Sequence, residues 1–301
     1  MTSPQPLDIP VAGGTLRALR FGAGPHVAVA AHGITASAMS FTTVARHLPA
    51  DWQLVALDLR GRGHSRDLGG PYGMDRHAAD LHAAAEHVAG DAPVALVGQS
   101  MGAYVALRAA AAQPDRFSRL VLVDGGLPLP VPDGADPDQV LAATLGPAID
   151  RLSLTFPTAE AYLDLFRAHP ALGPHWSPDV EAYVRYDLTG EPGALRSRAE
   201  PDAVRADGRD LIVNATTFGT DLERLALPAL LLYAPLGMFG QAPGMLPEPL
   251  VAAWRAKAPR LTTELVPDVN HYTILLADHA AVRLAARITN PRTWPAAIRA
   301  A

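Results

Sequence analysis

The sequence predicts an α/β fold built on a mostly parallel, doubly wound sheet. Three observations carry that expectation. Short, unbroken apolar runs alternate with segments of helical periodicity over the first 125 residues. Such runs suit parallel strands covered by helices on both faces, which leave no side of the strand in water. The alternation then stops for a long stretch and resumes near residue 228, as in one core interrupted by an insertion.

The strands are expected at HVAVAAHG (26–33), WQLVALDL (52–59), APVALVG (92–98) and RLVLVDG (119–125). Helical patterns at about 38–48, 75–89 and 101–113 separate them. From Leu127 the chain turns rich in proline and acid (LPLPVPDGADPDQ). A helical stretch follows that holds Phe156, Tyr162, Phe166, Trp176, Tyr183, Tyr186 and Phe218. Strand character returns at PALLLYA (228–234) and LTTELVP (261–267), and a helix over about 274–288 ends the pattern. The expected division is a core of residues 1–126 and 226–301 with a helical cap at 127–225.

Of the 301 residues 49% are hydrophobic, ample for a buried core, and 18% are charged. A net charge of −5 gives no electrostatic reason to expect nucleic acid or an anionic membrane as partner. With no cysteine, disulfides, thiolate metal sites and a cysteine nucleophile are excluded. The start, MTSPQPLDIP, lacks the basic and apolar regions of a secretory signal. No run reaches the ~18 apolar residues of a membrane span, so a cytoplasmic location is expected. Oligomeric state is not legible.

The chemistry-bearing stretch is ALVGQSMGAYVAL (95–107), where a strand pattern meets a helix pattern at Gly98-Gln99-Ser100-Met101-Gly102. Glycines two before and two after a serine relieve crowding in a sharp strand-to-helix turn that leaves the hydroxyl free. The helix beginning there aims its N–H groups at the same spot. The same pentapeptide also suits a serine that merely caps a helix; the strand before it and the helix after it favour the first reading.

Four segments in order now resemble the α/β-hydrolase family: AHGITAS (31–37), DLRGRGHS (58–65), VGQSMG (97–102) and PDVNHYTIL (267–275). The resemblance covers nearly all of the chain. It implies a serine-hydrolase branch with a helical cap between strands six and seven. It implies Ser100 as nucleophile, His271 as its base, and an oxyanion hole from the N–H groups of Met101 and Ile34. The family's usual acid position lies after the strand ALLLYA, but that loop, PLGMFGQAPGMLPEPL, offers no Asp; its first acid is Glu248. Another branch places the acid one strand earlier, where Asp124 follows LVLV. Asp124 is therefore the expected third member, with Glu248 and Asp268 as alternatives.

The remaining histidines read otherwise. His77, His82 and His87, five residues apart, spread around a helix and are expected to be solvated; HAAAEH (82–87) misses a metal-binding helix motif by one residue. His32 and His64 belong to the two resembling turns and are expected to orient loops. No metal or organic cofactor is expected. The expected activity is cleavage of a carboxylic ester or lactone of a medium-sized, largely apolar molecule through an acyl-enzyme. Alternatives are a thioesterase, carbon–carbon hydrolase or lyase using the same Ser–His pair, and a non-catalytic small-molecule binder.

Overall fold

A computed structural model describes residues 3–131 and 134–295. Eight strands form one sheet: β1 (Gln5–Val11), β2 (Gly14–Gly22), β3 (His26–Ala31), β4 (Trp52–Leu57), β5 (Val94–Gln99), β6 (Phe117–Val123), β7 (Ala229–Tyr233) and β8 (Leu261–Leu265). Their order across the sheet is β1-β2-β4-β3-β5-β6-β7-β8, with β3 to β8 parallel and β1 and β2 antiparallel. The sequence reading missed β1 and β2. Their signal is a hairpin turn at Gly13-Gly14, both at positive φ, followed by TLRALRF, in which apolar residues are interspersed with Arg17 and Arg20. Pro6 and Pro10 obscure β1, but the strand lies at the sheet edge, where a missing N–H breaks no ladder.

Core helices α1 (Thr42–Arg46), α2 (Met74–Ala89) and α3 (Met101–Ala112) follow β3, β4 and β5. Between β6 and β7 stand α4 (Pro137–Leu152), α5 (Ala159–Arg167), α6 (Pro178–Tyr186), α7 (Pro201–Val213) and α8 (Ala215–Arg224), with a two-residue ribbon pairing Leu188–Thr189 and Arg196–Ser197. The chain closes through α9 (Glu248–Lys257), α10 (Thr273–Leu276) and α11 (Asp278–Thr289). The single helix expected at 274–288 is thus two, broken at Ala277, whose backbone is extended. Among the described residues no helix is long and apolar enough to cross a membrane.

Alternation along each central strand divides the core into two layers. Val29, Ala31, Leu96, Leu120 and Leu122 pack with α2, α3, α8 and α9 on one face. Ala28, Ala30, Val97, Val121 and Val123 pack with α1 and α11 on the other. This is why the strands read as unbroken apolar runs.

Two polar nodes are buried among the loops at one edge of this sheet. Arg60, 1% exposed, donates to Asp80 of α2 through Nε (2.5 Å) and Nη2 (3.0 Å), and to the carbonyls of Ala12 (2.6 Å) and Gly69 (3.1 Å). It ties the β1–β2 turn, the loop after β4 and α2 together. His32, fully buried, accepts the Leu59 N–H at Nε2 (3.0 Å). That fixes its tautomer, so Nδ1–H donates to the Gly33 carbonyl at 2.7 Å. Burial, partly offset by that hydrogen bond, lowers its pKa to about 3.

Asp80→Ala leaves the Arg60 guanidinium buried without its carboxylate and should destabilise the chain by about 3–5 kcal/mol, read as a lower urea midpoint; Asp8→Ala, which removes an exposed partner of Arg17, should move the midpoint hardly at all. His32 generates a pH dependence of known sign. The unfolded chain takes up its proton near the ordinary histidine value of about 6.5, the folded chain only near 3. Its contribution is therefore intact above about pH 6.5 and is lost as pH falls toward 3, by at most about 1.4 kcal/mol per pH unit. Urea titrations over that window should give a shallower acid limb for His32→Gln than for the wild type; equal slopes would contradict this.

Candidate active site

Ser100 joins β5 to α3 at φ 55° and ψ −123°, a backbone conformation that side-chain-bearing residues rarely adopt. The residues two before and two after it must be glycine for steric reasons. A Cβ on Gly98 would overlap the Gly102 carbonyl and lie 2.7 Å from Ala103 Cα. One on Gly102 would overlap the Ala31 carbonyl and lie 2.7 Å from that of His32. The turn is held by the Ser100 N–H on the Val123 carbonyl (2.9 Å). The serine hydroxyl faces a cavity of about 360 Å³ that His271 and Asp124 also line.

Asp124 directly follows β6 at φ 46° and is 2% exposed. Its Oδ1 accepts the Ala234 N–H just past β7 (3.1 Å), and its Oδ2 accepts from His271 Nδ1 (2.6 Å). The alternatives stand elsewhere: Glu248 opens α9 and accepts the Tyr233 hydroxyl, and Asp268 is exposed. The His271 loop is organised by Asn270, whose Oδ1 accepts the N–H groups of Tyr272 and Thr273 (3.0 Å each) and whose Nδ2 donates to the Ala171 carbonyl (2.8 Å).

With Nδ1 donating to a carboxylate, Nε2 of a neutral His271 presents its lone pair. Gln99 stands beside it: its Nε2 lies 3.4 Å from His271 Nε2 and donates to the His271 carbonyl at 3.2 Å. No Ser100–His271 hydrogen bond forms among the described residues; contacts of this kind often tighten only in the substrate complex. Gln99 was not singled out from the sequence. Its signal is a lone amide ending a buried strand, where a polar side chain needs a partner.

Met101 and Ile34 also line this cavity. Met101 opens α3, so its N–H has no partner within the helix. A Cβ built on Gly33 would lie 3.7 Å from Ser100 Oγ, which brings the loop after β3 against the serine. In that loop the Gly33 carbonyl accepts from His32 Nδ1 (2.7 Å) and the Ala36 N–H (3.1 Å). Because a trans peptide points its C=O and N–H oppositely, the Ile34 N–H is turned the other way.

The walls are apolar: Leu141 and Leu145 of α4, Leu211 and Ile212 of α7, and Met245 and Leu276 from the core. Met238 lines the cavity too, but Phe239 is 51% exposed and stacks on His169. Of the insertion's seven aromatics only Tyr183 reaches the cavity; Tyr162 and Phe218 are fully buried within the helical packing. Among the described residues no Lys, Arg or Glu lines the space. Burial pushes the Tyr183 and Tyr272 phenols up from their ordinary pKa, so they present neutral hydroxyls. Among the described residues no group of three or more His, Asp or Glu is arranged to hold a metal ion.

The histidines of α2 correct the expectation of solvated side chains. His87 is exposed, His82 Nε2 bonds the Ala109 carbonyl (2.9 Å), and His77 is fully buried with Nε2 on Asp207 of α7 (2.9 Å). Helical spacing counts faces but does not reveal that a second helix covers one of them. Asp207 also pairs with Arg62 and accepts the Gly73 N–H (2.6 Å). Burial alone would raise its pKa, but Arg62 and His77 hold it at about 2.

Residues 29–158 match the family model described as the alpha/beta hydrolase fold. A lipase of Mycobacterium tuberculosis, LipV, is 36% identical over 43% of this chain and 48% of its own length. The N-formylmaleamate deformylase of Pseudomonas putida is 41% identical over 38% of this chain and 45% of its own. The chain thus matches about half the length of these two relatives. The crystal structure of E-2-(acetamidomethylene)succinate hydrolase superposes with a TM-score of 0.76 at 20% identity, covering 95% of this chain and 98% of that one. With its strand order, its strained serine turn and these matches, the chain has the α/β-hydrolase fold.

Proposed function

We propose that the chain is a serine hydrolase that cleaves a carboxylic ester or lactone of a medium-sized, largely apolar molecule through an acyl-enzyme. The observation that carries this reading is the 2.6 Å hydrogen bond from His271 Nδ1 to Asp124, on a cavity shared with Ser100. It fixes the tautomer whose Nε2 is free to take a proton. Ser100 Oγ attacks the carbonyl carbon as its proton passes to His271 Nε2. The N–H groups of Met101 and Ile34 stabilise the tetrahedral oxyanion. Collapse breaks the carbon–oxygen bond, and His271 returns the proton to the leaving alkoxide. Water, deprotonated by His271, attacks the acyl carbon, and collapse of the second tetrahedral adduct frees the acid and restores Ser100.

The substrate class rests on the walls. Maleamate and succinate, in the names of two of the similar proteins, are carboxylates, which call for a cationic partner. The cavity here has none among the described residues, so uncharged substrates are favoured. A volume of about 360 Å³ sits at the small end of the ~300–1,000 Å³ typical of small-molecule sites. In this reading residues 127–225 act as the cap. Polar contacts seat it on the core: Tyr186 on Asp58 (2.7 Å), Asp179 on Arg46 (2.7 Å) and Asp221 on Arg108 (2.7 Å).

A fluorophosphonate probe should label the wild type at Ser100 and leave Ser100→Ala unmodified. p-Nitrophenyl butanoate to octanoate should turn over faster than acetate or palmitate. Asp124→Asn should lower kcat by about 10⁴, with Glu248→Gln and Asp268→Asn close to wild type. An unlabelled wild type, or an Asp124→Asn variant of normal rate, would refute the reading.

A further inference from the structure

Arg62 is fully buried in the turn after β4. Its Nε donates to the Ile34 carbonyl (2.9 Å) and its Nη1 to the Arg60 carbonyl (2.9 Å) and to Asp207 of α7. The Ile34 carbonyl belongs to the peptide after the Ile34 N–H, and the Gly33 carbonyl to the peptide that contains it. His32 and Arg62 therefore pin the peptide planes on either side of the Ile34 Cα. Two pinned planes fix both backbone dihedrals of Ile34, and with them the direction of its N–H. Helix α7 touches the same residue a second time: a Cβ on Gly208, next to Asp207, would lie 3.5 Å from Ile34 Cδ1.

We propose that Arg62 is a positioning residue for the Ile34 oxyanion donor, and that its buried ion pair with Asp207 makes the seating of α7 part of that positioning. This rests on the serine-hydrolase reading above. Asp207 suits the task because it is held from three sides of the core, by Arg62, His77 and the Gly73 N–H. A carboxylate so fixed gives the guanidinium one orientation. A salt bridge that only glued two segments together would not need its Nε on the carbonyl of this particular residue.

The test separates positioning from gluing. In an Asp207→Asn background, Arg62→Gln keeps an amide nitrogen where Arg62 Nε stood, whereas Arg62→Met has similar length and no donor. Each is assayed for kcat and KM on p-nitrophenyl butanoate. Each is also assayed for inhibition by a trifluoromethyl ketone, which forms an oxyanion on the serine, and by the matching secondary alcohol, which does not. The Met variant should lose about 10- to 100-fold in kcat and in ketone affinity together, less than the ~10²–10³ of a deleted donor. Its KM and alcohol affinity should stay unchanged, and the Gln variant should recover most of the loss. Equal kcat for the Gln and Met variants, or alcohol affinity falling as far as ketone affinity, overturns the proposal. Should the Met variant not fold, Asp207→Asn alone decides. A partial loss of kcat at constant KM supports the coupling, and a wild-type kcat and ketone affinity overturn it. A wild type that fluorophosphonate does not label would instead remove the reading beneath.

Discussion

A parallel sheet ends its strands on one edge, and every feature of the cavity descends from that constraint. Gln99 lies opposite Val123, and Val123 opposite Leu232. One residue further on, Ser100 and Asp124 stand side by side, and Asp124 reaches the Ala234 N–H beyond the next strand. The loop after β8 then delivers His271 to Asp124 across 147 residues of sequence. β3 and β4 end on the same edge, which is why His32 can accept from Leu59 and Arg62 can donate to Ile34.

The edge is held under strain. Among the described residues, the positive-φ residues other than glycine are Ser100, Asp124 and Asp268, and two of the three belong to the cavity. Each such conformation costs on the order of 1–3 kcal/mol and persists only where its surroundings fix it. Here the surroundings are the strands themselves: the Ser100 N–H is bound to Val123 and the Asp124 N–H to Leu232. Continuing the ladder one residue past the strand end forces the turn and aims the side chain off the sheet. A hydroxyl on a flexible loop would have no such direction.

What was legible in the sequence divides along a physical line. The central strands, α2, α3 and the serine turn could be read because burial on both faces and crowding at a tight turn leave local marks. The β1–β2 hairpin was hidden because Pro6 and Pro10 look like strand breakers until the strand is known to be an edge. Asp124 was separable from Glu248 only as an expectation, since each follows a strand of the same edge. Nothing local tells which strand end faces His271. The buried polar groups away from the Ser100 turn, apart from His32, were not legible. Arg60, Arg62, His77 and Asp207 resemble surface residues because their partners are distant in sequence: Asp207 lies 145 residues from Arg62 and 130 from His77. A single chain carries no record of such pairs.

The position of the insertion follows from the same edge. It leaves the core directly after Asp124 and returns at β7, so it starts at the strand ends; α4 and α7 border the cavity there, while α8 packs on a face of the sheet. Its attachment is partly ionic and polar, through Asp207, Asp210, Glu200, Asp179 and Asp221 on loops and helices of the core, and partly apolar, through Phe218 and Leu222 of α8, whereas its contribution to the cavity is largely aliphatic. The two kinds of contact serve different ends. Directional hydrogen bonds fix where a helix sits, and apolar walls can be exchanged at nearly constant volume without disturbing that seat. Similarity to the family model runs from residue 29 to 158 and so includes Ser100, Asp124 and only the first of the five inserted helices. Ser100 and Asp124 stand at strand ends, while much of the wall stands on the insertion, so the wall can vary without disturbing the geometry of the strand ends.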